Sequence, residues 1–215
     1  MTLGANSSGK VAPSGNAPGD QAALVNSNAT GGGTISAAVS GTRGGTANAL
    51  YIGANSSLSS IINTGTISAT ASTTDLTIVN PVQAFAIVDN SGSVTSIYNS
   101  GSITAQASTL DTPQACLGAA TTSSCAIAIN LSGSNLLTPG GLGVTIDNYA
   151  TSTSSATITG AYAAIVFGTG DKQVINIAGA GPSETASVIG NVYYGSGSTV
   201  GGDQLNIGAY GVLSG

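Results

Sequence analysis

The sequence predicts an all-β chain: a single elongated β-solenoid (β-helix) with short strands and almost no α-helix. The first observation behind this prediction is internal repetition. The segment INTGTISA at 62–69 returns as YNSGSITA at 98–105, and a shorter copy, GTISA, stands at 33–37. Self-similarity at a spacing in the thirties indicates one supersecondary unit stacked on the next.

The second observation is the alternation of apolar and polar residues inside these repeats. Ile67, Ala69 and Ala71 alternate with Ser68 and Thr70. A period of two is typical of a strand with one buried face. We find no window with a convincing apolar period of 3.6, and the many Gly and β-branched residues also oppose a helix.

The third observation is composition. Charged residues make up only 5% of the chain, against roughly a quarter in an ordinary globular domain. Hydrophobic residues nevertheless make up 41%, and Ile, Val and Leu recur at regular positions. The chain is therefore able to bury a core and is not read as a disordered polar tract.

Residues 1–30 are predicted to form an extended N-terminal arm. Pro13 and Pro18 stand among Gly, Ser and Asn there, which is typical of irregular backbone. Apolar periodicity begins only near Leu24 and Val25. Because few constraints act on this segment, we expect that it is able to donate a strand to another chain.

Residues 31–215 are predicted to form the solenoid, with about six irregular coils. Four isoleucines are expected to occupy equivalent inward sites: Ile35, Ile67, Ile103 and Ile158. A second type of repeat follows, in which Asn176 is matched by Asn206. Extra length between coils is expected to bulge from a corner without breaking the stack.

Asn-x-Gly sequences mark the expected corners at 63–65, 90–92 and 99–101. Asn and Gly tolerate positive φ, which allows a sharp turn. Two readings stay open for a further set of asparagines. They form an amide ladder along the stack, or they simply favour turns; the set is Asn63, Asn99 and Asn148.

Cys116 and Cys125 are the two cysteines of the chain. Their spacing fits neither a zinc ribbon nor a redox pair. An even count of close cysteines favours a disulfide that closes a small loop near 116–125, and a disulfide points to an oxidising, extracellular compartment. The alternative is a pair of unlinked thiols.

Charge and hydropathy exclude several partners. The net charge is −5, with three basic residues and no basic run. A nucleic-acid partner requires a Lys/Arg footprint, so none is expected. No apolar stretch approaches the roughly 20 residues needed to span a bilayer as a helix, and no signal peptide is visible.

The inventory of reactive side chains is poor. The chain has no His, which excludes the usual nucleophilic triads and His-based metal sites. Asp75 and Asp111 occupy equivalent repeat positions and are the candidate pair for a glycan-cleaving enzyme. Asp at a strand-to-turn boundary more often bonds its own backbone, and the same structural reading is favoured over calcium binding for Asp171 and Asp203. We therefore expect no enzyme activity, cofactor or metal.

Residues 166–215 resemble the repeats of bacterial autotransporter passenger domains. The resemblance is carried by FGTGD at 167–171 with INIAGAG at 175–181, and by GGDQLNIGA at 201–209. The Ile-x-Asn-x-Gly-x-Ile-x-Ala units upstream are similar to those of the same family. The resemblance implies a secreted β-helix that acts as an adhesin or surface fibre. We see no outer-membrane barrel after residue 215, so we interpret the sequence as an excised passenger or as a separate secreted subunit.

The last residues carry no charge and no recognisable cap, and an open sheet end invites another strand. Tyr210, Val212 and Leu213 are therefore predicted to take part in self-association, together with Leu24 and Val25 of the arm. The first hypothesis is an extracellular structural subunit of a bacterial surface filament or adhesin that associates end to end.

Two alternatives stay open. The first is a monomeric autotransporter passenger fragment that binds polysaccharide or a host surface. Tyr193 and Tyr194 are its candidate ligand face, because Tyr offers an apolar ring with a polar tip. The second, less favoured, is the carboxylate-based glycan-cleaving enzyme.

Overall fold

The computed structural model of the chain describes residues 10–11, 23–27, 32–41, 44–74, 82–108, 124–133, 143–168, 172–194 and 202–215. Every regular element in these ranges is a β-strand. The strands form two sheets, one of seven strands and one of nine. The prediction of an all-β chain with almost no α-helix is therefore confirmed over the described residues.

The first sheet has one strand order throughout. Its strands, from one edge to the other, are β1 (Lys10–Val11), β2 (Ala23–Asn26), β5 (Ser60–Asn63), β8 (Ser96–Asn99), β11 (Thr145–Tyr149), β13 (Val174–Ala178) and β15 (Gln204–Ile207).

The second sheet has two arms that meet in one long strand, β12 (Ala156–Val166). One arm comprises β3 (Thr34–Gly41), β6 (Thr66–Thr73) and β9 (Ser102–Ala107). The other comprises β4 (Gly45–Ile52), β7 (Val82–Asp89) and β10 (Cys125–Asn130). Beyond β12 lie β14 (Ala186–Tyr193) and β16 (Gly211–Ser214).

Pairing between these strands is parallel, except that β1 runs antiparallel to β2. Each strand pairs with the equivalent strand of the preceding or following sequence repeat, as when Ile62 lies opposite Tyr98. The two sheets together form a nearly closed barrel. The parallel all-β fold thus agrees with the prediction, whereas the elongated solenoid and its six coils stay predictions.

The predicted isoleucine column is present. Ile35 lies opposite Ile67, Ile67 opposite Ile103, and Ile103 opposite Ile158. All four side chains are buried in one large hydrophobic cluster. The same column continues through Val188, which is also buried. The core is therefore a set of aliphatic columns that run from strand to strand.

A buried amide ladder runs beside this core. Its members have their side chains wholly or almost wholly buried: Asn26, Asn63, Asn99 and Asn148. The Nδ2 of each of the first three donates to the Oδ1 of the next member at 2.7 Å, and the Nδ2 of Asn148 donates to the carbonyl oxygen of Ser187 at 2.9 Å. Of the two readings of these asparagines, the structure contains the ladder. The ladder also has one more member than predicted, Asn26, in the preceding strand of the first sheet.

The ladder also joins the two sheets. The Nδ2 of Asn63 donates to the carbonyl oxygens of Gly65 at 3.1 Å and Ser102 at 3.2 Å. The Nδ2 of Asn99 does the same to Gly101 at 3.2 Å and Thr157 at 3.1 Å. Since Ser102 and Thr157 lie in the second sheet, each amide ties a first-sheet strand to its neighbour across the corner.

At two of the corners, Gly65 and Gly101 are required because a side chain would not fit, and not because the backbone needs a positive φ. A Cβ on Gly65 would collide with the backbone of Gly33, and a Cβ on Gly101 would collide with the backbone of Gly65. The expected positive φ occurs at Gly92, where φ is 70°. The prediction of positive φ was therefore wrong for Gly65 and Gly101, whose role is to let successive backbones approach.

A second polar ladder lies on the first sheet, at less buried positions. The Nδ2 of Asn176 donates to Oδ1 of Asp147 at 2.7 Å, and the Nδ2 of Asn206 donates to Oδ1 of Asn176 at 2.7 Å. The predicted equivalence of Asn176 and Asn206 is confirmed by their pairing in β13 and β15.

We predict that Asn63→Ala destabilises the chain by about 2–4 kcal/mol. The substitution removes a donor from Asn99 and an acceptor from Asn26 inside the core, and a buried polar group without its partner costs about 1–3 kcal/mol. Urea unfolding followed by circular dichroism measures the difference. Asn206→Ala is the matched control: it breaks one exposed amide bond and should cost less than about 1 kcal/mol. Equal losses in the two variants would contradict a special role for the buried ladder.

Candidate interaction site at the C-terminal end of the sheets

The last two strands, β15 and β16, end the two sheets. β15 pairs with β13, and β16 pairs with β14. No strand of the described residues lies on the outer side of either one. Their outer N–H and C=O groups therefore form an open edge, which is a template for pairing with another strand.

The core is open at this end. Leu205 and Ile207 lie in register with Ile175 and Ile177. The inner pair is buried, at 0% and 1% exposure, whereas Leu205 and Ile207 are 41% and 50% exposed. Residues in equivalent positions thus differ in exposure because nothing in the described chain packs beyond the last strand.

The predicted self-association residues of the C-terminus share this exposure. Leu213 continues the isoleucine column beyond Val188, yet it is 38% exposed. Val212 and Tyr210 are also exposed. We use the name C-terminal end surface for Leu205, Ile207, Tyr210, Val212 and Leu213.

Tyr210 is held in place by a tight turn between β15 and β16. Its φ is 54°, a left-handed conformation that is uncommon for a residue other than Gly. A Cβ added to Gly179 would approach the Cβ of Tyr210 and the carbonyl oxygen of Tyr210. Gly179 therefore leaves the space that this turn occupies.

Two residues of this surface, Leu205 and Ile207, were not among the predicted association residues. The signal was present in the sequence, since QLNI at 204–207 echoes VINI at 174–177. Pairing the two segments identifies Leu205 and Ile207 as inward residues of a terminal strand.

Leu24 and Val25, the other predicted association residues, lie at the opposite end of the first sheet. Both belong to β2, which pairs with β1 on one side and β5 on the other. Leu24 is 1% exposed and Val25 is half-buried. The part of the N-terminal arm that the structure describes is thus paired within its own chain.

The predicted ligand face, Tyr193 and Tyr194, is stacked on other rings. Tyr193 stacks on Tyr162 with centroids 5.9 Å apart, and Tyr194 stacks on Phe167 with centroids 5.3 Å apart. Tyr194 remains 36% exposed. Burial raises the pKa of Tyr194, and the charge of nearby Asp203 raises it further.

Two aspartates of the described chain, Asp203 and Asp89, accept hydrogen bonds from its backbone. Asp203 Oδ1 accepts the backbone N–H of Gln173 at 3.0 Å. Asp89 accepts the backbone N–H groups of Ser91 at 2.8 Å and Val94 at 3.3 Å. These bonds agree with the structural reading of a corner Asp.

Several predicted chemical groups fall outside the described residues: Asp75, Asp111, Asp171 and Cys116. Cys125 is fully buried at the start of β10. The disulfide with Cys116 and the carboxylate pair therefore stay predictions. Over the ranges that the structure covers, no group of three or more His, Cys, Asp or Glu is placed to hold a metal ion.

Comparison of the chain with protein-family models, with curated proteins and with solved structures gave no match. The resemblance to autotransporter passengers consequently stays a prediction. None of the described residues forms a helix that is long and apolar enough to cross a bilayer.

We predict that the Tyr194 hydroxyl makes stability depend on alkaline pH. Its pKa is raised in the folded chain, whereas an unfolded Tyr ionises near pH 10. Stability from this group is therefore fully present below about pH 10 and is lost as the pH rises through the folded pKa. Thermal unfolding across the alkaline range measures the effect.

Tyr194→Phe is the matched control for this prediction, because it keeps the stacked ring and cannot ionise. The difference in melting temperature between the wild type and Tyr194→Phe should be constant at neutral pH. Above about pH 10 the melting temperature of the wild type should fall more steeply than that of Tyr194→Phe. A difference that does not change with pH would contradict the raised pKa.

Proposed function

We propose that this chain is an extracellular structural subunit of a bacterial surface filament or adhesin, which associates with itself end to end. One observation carries the proposal: inward aliphatic residues that are buried elsewhere in the sheets are exposed in the last strands. Leu205 and Ile207 are 41% and 50% exposed, against 0% and 1% for Ile175 and Ile177.

The proposed architecture is an elongated β-solenoid of six coils. The recurring order of strands supports it, since one strand of the first sheet is followed each time by strands of the second. The six groups are β2–β4, β5–β7, β8–β10, β11–β12, β13–β14 and β15–β16. Parallel pairing between equivalent strands is what stacking of such coils requires.

Association at the C-terminal end surface has two sources of free energy. Fully burying a Leu, Ile or Val side chain is worth about 1.5–3 kcal/mol, and several such side chains are only partly buried here. A second chain that pairs with β15 or β16 also gives partners to their open backbone groups. Both gains require a partner that continues the sheets.

The extracellular location rests on the resemblance to secreted passengers and on the predicted disulfide. Strand-to-strand columns and buried amides support a rigid rod, the shape that suits a fibre or an adhesin. We propose no cofactor and no nucleic-acid partner. Surface glycans are an additional partner in the adhesin form of the proposal.

The alternative function is binding of a polysaccharide or host surface by a monomeric passenger. The observation in its favour is that Tyr194 presents a 36% exposed ring, stacked on Phe167. A fixed, partly exposed aromatic ring is suited to packing against a sugar. The carboxylate-based glycan-cleaving enzyme rests only on Asp75 and Asp111, and no geometry supports it.

We predict that Leu213→Asp abolishes self-association of the chain. A charge at this position would have to be buried at the junction between copies, which is strongly unfavourable without a partner. Electron microscopy and sedimentation velocity across a concentration series measure the association of the wild type and the variant.

Ile189→Asp is the matched control. Ile189 is 44% exposed, but it lies in β14, one strand inside the end, at a position that alternates with buried Val188. Its substitution should leave end-to-end association intact. Wild-type rods that stay monomeric at every concentration contradict the proposal. If such monomers bind a glycan and the Tyr194→Ala variant does not bind it, the alternative function is favoured.

A further inference from the structure

A pocket lies on the outer face of the first sheet, at the start of β11 and β13. Its volume is about 320 Å³, and it is lined by Thr95, Gly143, Thr145, Lys172 and Val174. Thr145 and Val174 are register partners. Both are half-buried and alternate with buried inward residues, so their side chains point away from the core. A pocket at this low end of the range for small ligands suits a group the size of one sugar ring.

The pocket presents hydrogen-bond donors and one positive charge. Lys172 is exposed, and its ammonium makes no ion pair with a carboxylate of the described ranges. The hydroxyl of Thr145 is a second donor. The hydroxyl of Thr95 already donates to the carbonyl oxygen of Ser59 at 3.2 Å, so it offers the pocket only its lone pairs. None of the described lining residues is acidic, and an anionic group is therefore the ligand that these atoms fit.

The charge of the rest of the chain sets this pocket apart. The net charge is −5, and the basic residues are Lys10, Arg43 and Lys172. Lys10 belongs to β1, at the far edge of the first sheet, and Arg43 lies outside the described residues. A chain with this net charge repels anions in general. An anion that binds to it therefore needs a local site, and the pocket beside Lys172 is such a site.

Groups that bond neutral hydroxyls lie beside the pocket on the same face. Asp147 and Asn176 follow Thr145 and Val174 by two residues in β11 and β13, which is about 7 Å further along the strands. Asn176 is half-buried, and Asn206 of β15 is exposed. Their side-chain amides carry both donors and acceptors, which is what sugar hydroxyls require.

Asp147 gives this face two unlike ends. Its carboxylate accepts the amide of Asn176 at 2.7 Å, and its negative charge disfavours a second anion nearby. The rings of Tyr98 and Tyr149 pack edge to face beside it, with centroids 6.3 Å apart, and both residues are half-buried. Apolar ring surface next to polar groups suits a sugar ring. The acidic group of a ligand is thus directed to Lys172, and its neutral part to the second polar ladder.

We propose that this face binds a negatively charged sugar of a surface polysaccharide. The acidic group lies against Lys172 and Thr145, and neutral hydroxyls bond the amides of Asn176 and Asn206. The inference goes beyond self-association, because it gives the adhesin form of the proposed function a class of ligand and a site. The pocket lies on the side of the first sheet and not at the C-terminal end surface, so ligand binding and self-association are separate measurements.

Isothermal titration calorimetry on the full chain tests the site. The anionic probes are trigalacturonate and a sulfated carrageenan tetrasaccharide, each compared with its neutral counterpart, the methyl ester or the desulfated sugar. At least one anionic probe should bind, and its neutral counterpart should bind about tenfold more weakly, because a charge-assisted hydrogen bond is lost. Binding of trigalacturonate alone identifies a carboxylate as the recognised group, and binding of the tetrasaccharide alone identifies a sulfate.

Lys172→Gln is the test variant, and Lys10→Gln is the matched control. Both remove one positive charge, but only Lys172 lines the pocket. Lys172→Gln should weaken binding of the anionic probe about tenfold and leave binding of the neutral counterpart unchanged. Lys10→Gln should change neither. Thr145→Val keeps the branched side chain and should weaken the anionic probe by a smaller factor. Circular dichroism verifies that each variant is folded.

Several results would overturn the inference. Equal binding of the anionic and neutral probes, or equal losses in Lys172→Gln and Lys10→Gln, rejects recognition of charge at this pocket. A loss in Tyr194→Ala with Lys172→Gln unaffected moves the ligand to the alternative face. Absence of binding to every probe rejects the site.

Sedimentation velocity on the same samples keeps this inference distinct from the proposed function. A wild type that self-associates and binds no probe retains the proposed end-to-end association and loses the site. A wild type that stays monomeric and binds an anionic probe through Lys172 retains the site and loses the association.

Discussion

The buried amide ladder is the constraint on which the rest of the structure depends. An aliphatic column tolerates small displacements, because dispersion and burial are not directional. An amide buried away from water must meet a donor or acceptor in a narrow range of distance and angle. Asn26, Asn63, Asn99 and Asn148 meet each other at 2.7 Å, and that requirement holds successive strands in one register. The isoleucine columns follow from the same register.

The amide ladder also requires that the backbones of successive corners lie close together. The amides reach both sheets only because the corners are narrow, and the corners are narrow because Gly65 and Gly101 lack a Cβ that would strike the preceding turn. Polar side chains and glycines thus act together. The asparagine supplies hydrogen bonds inside the corner, and the glycine two residues later gives the chain room to pass.

Much of this arrangement was readable in the sequence, because stacking repeats copies one pattern many times. The isoleucine column was predicted from spacing, and a ladder through three of the four asparagines was one of the two readings that spacing left open. Asn26 was missed because the arm before it carries no recognisable repeat. The role of Gly65 was misread, since a glycine needed for space and one needed for φ look alike in a sequence. The stacking of Tyr194 on Phe167 depends on the path of the chain just after two strands end. The alternation of apolar and polar residues within a strand does not predict that path.

The ladder stops part-way along the sheets. Asn148 is followed in its column by Ile177 and then Ile207, so this column changes there from directional bonds to aliphatic contact. A repeat inserted before this point would interrupt the chain of amides unless it carried an asparagine at the equivalent position. After it, an added repeat breaks no buried amide ladder, because the second ladder that joins these strands lies at less buried positions. Inserted repeats that lack an asparagine should therefore be tolerated on the C-terminal side of Asn148 and not on its N-terminal side.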